Sequence, residues 1–207
     1  MDGYSYLDKN GTFRIYNPEL TSYLYFPIAN ESGVMGSITP TLAGDNKMGQ
    51  NTFLLEPVTI EDLHNNNSSR NFWCNVKGKG LWSATGKSAA QEAMAFTDKK
   101  EETVLDAGFM WHQLRRVSKE YGITSEITSF VPSNKDTLEI MLVRLINSGE
   151  EDITFTATAA IPLYGRSADN IRDHRHVTSL LHRVETTEAG VVLNPTLTFD
   201  ERGHQKN

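Results

Sequence analysis

Along the second half of the chain, apolar and polar residues alternate on a two-residue beat. Thr124 to Val131 is rich in β-branched residues and closes on Pro132-Ser133-Asn134, the composition of a strand running into a turn. Leu138 to Ile146 places Leu138, Ile140, Leu142 and Arg144 on one face and Met141, Val143 and Leu145 on the other, which predicts a central strand covered on both sides. Asn147-Ser148-Gly149-Glu150 is a turn, and Ile153 to Ala159 then alternates apolar residues with Thr, as a half-buried strand does. Gly190 to Phe199 supplies a further strand, with Asn194-Pro195 as a bulge or edge interruption.

Spacing carries the fold. Segments near 107–117, 123–131, 137–147, 152–160 and 190–199 recur between short polar turns. That rhythm predicts an all-β, antiparallel sandwich rather than βαβ units. Tyr23-Leu24-Tyr25-Phe26 and Phe53-Leu54-Leu55 are strand candidates in the less regular first half. Ser88 to Phe96 has helical propensity over a short span. From Ile161 to His176 the beat stops, and charged residues crowd a long loop of the kind that carries function.

The length of 207 residues suits one large domain, able to bury about 70% of its unfolded surface. No apolar run is long enough to predict a membrane span, and no basic leader precedes an apolar stretch at Met1-Asp2-Gly3-Tyr4. A net charge of −6 argues against nucleic acid and anionic membranes as partners. The single cysteine, Cys74, excludes an intrachain disulfide and fits a reduced, cytoplasmic setting.

The chemistry in the 161–176 loop admits two readings. His174 and His176, with Asp173 and His182 nearby, have metal-ligand types, but Arg172 and Arg175 are interleaved and their fixed charges oppose a cation, so no metal is expected. Arg, His, Asp and Asn together suit a hydroxyl-rich or anionic small molecule, because they offer directional donors and acceptors. The plainer reading is a solvated loop with Arg–Asp pairs worth little each. Trp73 and Trp82, near glycines, have the flat rings that sugar sites use, although core packing is the commoner use. Cys74 reads as a buried small hydrophobe rather than a nucleophile. Gly86-Lys87-Ser88 is the tail of a phosphate loop at the wrong spacing, and Glu101-Glu102 reads as a solvated turn. No complete catalytic motif is present, so no catalytic residue is assigned.

Several blocks together carry a family resemblance. Ser22-Tyr23-Leu24-Tyr25-Phe26-Pro27-Ile28-Ala29-Asn30-Glu31, Arg70-Asn71-Phe72-Trp73 and Ala107-Gly108-Phe109-Met110-Trp111-His112 are three of them. Tyr164-Gly165-Arg166-Ser167-Ala168-Asp169-Asn170 and Arg172-Asp173-His174-Arg175-His176-Val177-Thr178-Ser179 are the most specific. They resemble the N-terminal region of glycoside hydrolase family 94, the cellobiose, cellodextrin, chitobiose and β-1,2-oligoglucan phosphorylases. The resemblance covers nearly the whole chain.

It implies a β-sandwich of the super-sandwich type spanning 1–207, preceding an (α/α)6 barrel that holds the catalytic Asp and lies beyond this chain. The implied reaction of the parent enzyme is inverting phosphorolysis of β-linked gluco-oligosaccharides to an α-sugar 1-phosphate. Inorganic phosphate is then the co-substrate and no cofactor is needed. This chain alone is then inactive, shaping the sugar site and a homodimer; the alternative is a free-standing carbohydrate-binding module. By position against the family's acceptor-side segment, His174 and Arg175 are the implied sugar contacts, with Arg166 and Asp169 behind them. The residues beside Arg175 differ from those of cellobiose-acting members, which bears on the acceptor.

Overall fold

The computed structural model describes residues 3–21, 24–48, 52–56, 69–166 and 182–195. Among them the chain forms sixteen short strands and one helix, all strand pairings being antiparallel. One layer is a six-stranded sheet in the order β1 (Tyr4–Tyr6), β2 (Phe13–Tyr16), β9 (Glu102–Gly108), β10 (Trp111–Ser118), β11 (Ile123–Phe130) and β12 (Ile140–Asn147). Against it lies a five-stranded sheet, with β14 (Leu163–Arg166) at one edge. Next to β14 come β6 (Thr52–Leu55), β5 (Asn46–Met48), β4 (Val34–Ile38) and β3 (Phe26–Ala29). A three-stranded sheet of β13 (Phe155–Ala160), β7 (Asn71–Val76) and β8 (Gly80–Ser83) and a hairpin of β15 (His182–Thr187) and β16 (Gly190–Pro195) complete the set. This is the expected antiparallel sandwich.

Register explains how the large sheet fills its inner face. One rung is wholly aliphatic: Ile15, Leu105, Leu114, Ile127 and Val143 face one another across five strands. The rungs on either side are not. Ala107, His112, Ser129 and Met141 form one, and Thr103, Arg116, Ser125 and Leu145 the other. His112 and Arg116 are large, and each lies opposite a buried serine, Ser129 and Ser125, whose hydroxyls have no hydrogen-bond partner among the described residues. Size, not hydrogen bonding, is what suits serine there, since close packing demands a small neighbour beside a large one. From the facing sheet, the Phe26 ring packs 5.4 Å from the His112 ring and 6.0 Å from Phe13.

Two guanidinium groups are buried between the layers. Arg70, 1% exposed, donates from Nε and Nη2 to Glu139, at 2.8 Å from Nη2, and to the carbonyls of Gly44 (3.1 Å) and Asp45 (3.3 Å). Asn46 donates to the same carboxylate. Gly44 has φ of +118°, and a Cβ there would lie 2.1 Å from the Ser37 carbonyl oxygen, so only glycine lets the β4–β5 loop fold under Arg70. Arg116 donates to Glu101 (3.2 Å) and to the carbonyls of Ala84 and Thr85 (both 3.2 Å). Elsewhere, the side-chain amide of Asn30 reaches the carbonyls of Pro132, Asn134 and Asp136, tying the β3–β4 turn to the β11–β12 loop.

Several sequence expectations change. The 107–117 segment is not one strand: the chain reverses at Phe109–Met110, where Met110 takes φ of +61°, and divides into β9 and β10. Among the described residues β12 is the edge of its sheet rather than a central strand. Met141, Val143 and Leu145 pack on the core, while Leu142 is 60% exposed. Among the described residues β13 pairs only with β7, and it is exposed along nearly its whole length, not half-buried. Of the first-half strand predicted at Tyr23–Phe26, Tyr23 lies outside the described residues, and among the described ones the strand begins at Phe26. The Ser88–Phe96 helix does form, as Ala89–Met94 (α1), started by a Ser88–Gln91 capping box.

Two predictions follow from these buried polar groups. Glu139→Gln should cost about 3 kcal/mol in urea denaturation by leaving Arg70 buried without its counter-charge, and Arg70→Met in the same background should recover part of the loss. The second concerns pH. Burial, with the Arg70 charge adding to it, pushes His112 down to about 3 from the ordinary 6.5. The unfolded chain therefore takes up a proton below pH 6.5 that the folded one refuses. Stability should be complete above that pH and fall by up to about 1.4 kcal/mol per unit below it, toward pH 3. His112→Leu should flatten this arm of a stability–pH curve between pH 6.5 and 5; an unchanged slope would contradict the assignment.

Candidate functional site

The 161–176 stretch is not all loop: it first forms β14, whose Leu163 and Arg166 lie opposite Leu55 and Phe53 of β6 with a register shift between them. Tyr164 is buried, and its ring meets that of His182, at the start of β15, edge-on at 5.8 Å. Gly165 has φ of +73°, and a Cβ on it would come within 3.1 Å of Leu193 on β16. The two shoulders of the 167–181 segment are thus held side by side by ring packing and by a glycine on which the hairpin rests. Arg166 closes β14, and only its backbone is among the described positions. Asp169, His174 and Arg175 lie outside the described residues, as do Asp173 and His176.

Sequence reasoning missed a second polar centre, on the far side of the sandwich. Glu101 is not in a solvated turn. It accepts from the Trp82 indole N–H (2.9 Å), from Gln91 Nε2 (2.7 Å) and from Arg116 (3.2 Å). Gln91 in turn donates to the Ser83 carbonyl (2.9 Å), accepts from the Ser83 N–H (2.9 Å) and accepts from the Ser88 hydroxyl (2.7 Å). Gly86, at φ of +81°, passes so close over the guanidinium that a Cβ would sit 2.6 Å from Arg116 Nη2. The Gly86-Lys87-Ser88 run thus covers an arginine and caps a helix instead of cradling a phosphate.

A cavity of about 350 Å³ opens above this network, walled by the Pro18–Leu20 turn, the Thr39–Thr41 loop and the Gly86–Glu101 segment. Glu19 lines it, accepting from the Thr103 hydroxyl (2.6 Å) and pairing with Lys100 (2.6 Å). Burial raises the pKa of its carboxyl, but the contacts from Lys100 and Thr103 outweigh that and hold it below the ordinary carboxylate value. The signal available in the sequence was slight: the apolar Trp111 and Val117 of β10 lie on the face opposite Arg116, so alternation alone does not point Arg116 inward, and its carboxylate partner Glu101 lies outside the strand.

The remaining candidates resolve simply. Trp82 is fully buried and packs near Tyr121, so it belongs to the core; Trp73 is half-buried on β7. Cys74 is fully buried, and desolvation pushes its thiol up to about 11, which leaves it protonated and unreactive at neutral pH. Among the described residues no three His, Cys, Asp or Glu side chains are grouped as a metal site would need. Among them, too, no helix is long and apolar enough to cross a membrane.

The sandwich architecture, the β14 frame and the segment it brackets can be set against known proteins. No curated protein sequence matches the chain. A family model does, and it spans β6 to β16 together with the bracketed segment. With residues 49–204 matching the supersandwich domain of glycosyl hydrolase 94, the chain belongs to that family.

Proposed function

We propose that the chain is the N-terminal, non-catalytic sandwich of an inverting β-glycoside phosphorylase, and that its 166–176 region contributes to the sugar-binding side of that enzyme. The family match carries this reading, because it includes β14 and the Arg- and His-rich segment after it. In such an enzyme one carboxylic acid protonates the leaving glycosidic oxygen while inorganic phosphate attacks the anomeric carbon, so no second carboxylate is needed as base. The acid and the site that binds phosphate belong to a barrel domain. The sandwich supplies donors that orient the acceptor sugar: His174 and Arg175 at the hydroxyls, with Arg166 and Asp169 holding them. Arg suits this task because its planar fork reaches two oxygens at once.

The proposal also includes a homodimer, in the cytoplasm. β12 and β13 each end a sheet, and exposed apolar side chains accompany them, Leu142 on β12 and Phe155 on β13. Strand edges of this kind favour pairing with another chain. Light scattering should show a dimer or larger species, and a clean monomer that melts cooperatively would contradict this part.

The central test is an assay of this chain alone. Incubation with a panel of β-linked gluco-oligosaccharides plus phosphate, and separately with α-glucose 1-phosphate plus acceptors, should give no turnover. Turnover would place a catalytic acid in these 207 residues and overturn the division of labour. In an enzyme carrying both domains, Arg175→Ala should raise KM for the acceptor about tenfold or more with little change for phosphate, as loss of a charge-assisted hydrogen bond would. Equal loss for both substrates would contradict an acceptor role.

A further inference from the structure

The cavity over Arg116 has the composition of a binding site for a neutral, hydroxylated ligand. Its lining carries three cations and three anions, and each is paired with another: Arg116 with Glu101 (3.2 Å), Lys100 with Glu19 (2.6 Å) and Lys87 with Glu92 (3.8 Å). The formal charges cancel, so phosphate would find no uncompensated cation there and a metal ion no free carboxylate. The paired groups still have hydrogen-bonding capacity to spare. A lysine ammonium has three donors, a guanidinium five, and a carboxylate about four acceptor sites. Hydroxyl groups, which both donate and accept, can use that remainder without separating the ion pairs.

The rim supplies the complementary element. Phe96, immediately after α1, is 93% exposed, and Leu20 across the opening is 64% exposed. A phenyl ring at the mouth of a polar cavity can cover an apolar face of a ligand, and that contact is favourable in proportion to the apolar area it removes from water. Sugar rings offer one, since their axial C–H groups form a flat apolar side. The volume of about 350 Å³ falls at the lower end of the range for small-molecule sites, enough for about one or two rings.

We infer that this cavity is a second saccharide-binding site, with Phe96 as the stacking platform and the Lys100–Glu19 and Arg116–Glu101 pairs as hydroxyl partners. It is separate from the 166–176 region. In the five-stranded sheet β4 and β14 run in opposite directions, so β4 delivers Thr39–Thr41 to the cavity at one end while β14 ends in Arg166 toward the other. The inference does not depend on the acceptor role proposed for His174 and Arg175. Such a site would hold an oligosaccharide near the enzyme without taking part in bond cleavage.

Trp82 provides the reporter, because its indole N–H is bonded to the same Glu101 that floors the cavity. The experiment titrates the 15N-labelled chain with α- and β-linked glucobioses and follows the Trp82 indole resonance. A saturable shift is expected with at least one disaccharide. Phe96→Ala, at an exposed position the fold does not need, should weaken it by about threefold to tenfold, while Arg175→Ala leaves it unchanged. No shift with any disaccharide, full-strength binding in Phe96→Ala, loss of the shift in Arg175→Ala, or an equal shift with inorganic phosphate would each overturn the inference.

Discussion

The structure depends on an arginine placed where a sandwich normally keeps aliphatic side chains. Arg116 projects from β10, near the middle of the six-stranded sheet, into the space between layers. A guanidinium buried there without partners would cost several kcal/mol, more than the packing of any single side chain returns. It is tolerated because the neighbouring polypeptide is arranged around it. Ala84 and Thr85 turn their carbonyls inward, Gly86 passes above the guanidinium at positive φ, and Glu101 swings in at the start of β9. Glu101 also holds Trp82 and Gln91, and Gln91 caps α1. The link between β8 and β9 is therefore determined by one charge. The pair adds little net stability, since desolvation offsets most of the attraction; what it contributes is a single arrangement of the segment.

Arg70 does the same at the β4–β5 loop. Its fork is filled by Glu139 and by the carbonyls of Leu42, Gly44 and Asp45 in that loop, with Gly44 making the approach sterically possible. One arginine thus binds the large sheet to the three-stranded sheet and helical segment, and the other binds the start of β12 to the five-stranded sheet. Between them the aliphatic rung from Ile15 to Val143 closes the interior. Apolar burial drives the layers together without direction, and the two guanidinium groups select which residues face one another.

How much of this could be read from sequence follows from the same facts. β11 and β12 were legible because their β-branched or aliphatic runs end at turn residues. β10 was not, because Trp111-His112-Gln113-Leu114-Arg115-Arg116-Val117-Ser118 reverses the expected polarity. Its inward positions are His112, Leu114, Arg116 and Ser118, while Trp111 and Val117 lie on the other face. Only pairing with Glu101, fifteen positions back in the chain, makes an inward Arg116 possible, and such a pairing has no local signature. The same holds for β12: its two apolar faces suggest a central strand, but whether a second face is covered depends on what lies beside it. Of the site, the family blocks marked the 164–176 stretch, whereas the cavity residues are scattered between Pro18 and Arg116 and come together only through topology.

The two ends of the sandwich consequently have different physical characters. At the β14 end, Tyr164 against His182 and Leu193 over Gly165 join the end of β14 to the β15–β16 hairpin. At the other, ion pairs are closed upon themselves and floor a cavity edged by an exposed ring. Side chains that paired strands and ion pairs already hold in place lose less freedom when a ligand arrives, which lowers the entropic cost of binding at the cavity end. A charge-balanced cavity suits weak capture of a neutral chain. A sandwich can keep two such ends apart because its strands alternate in direction, so that β4 and β14 finish at opposite ends of a single core.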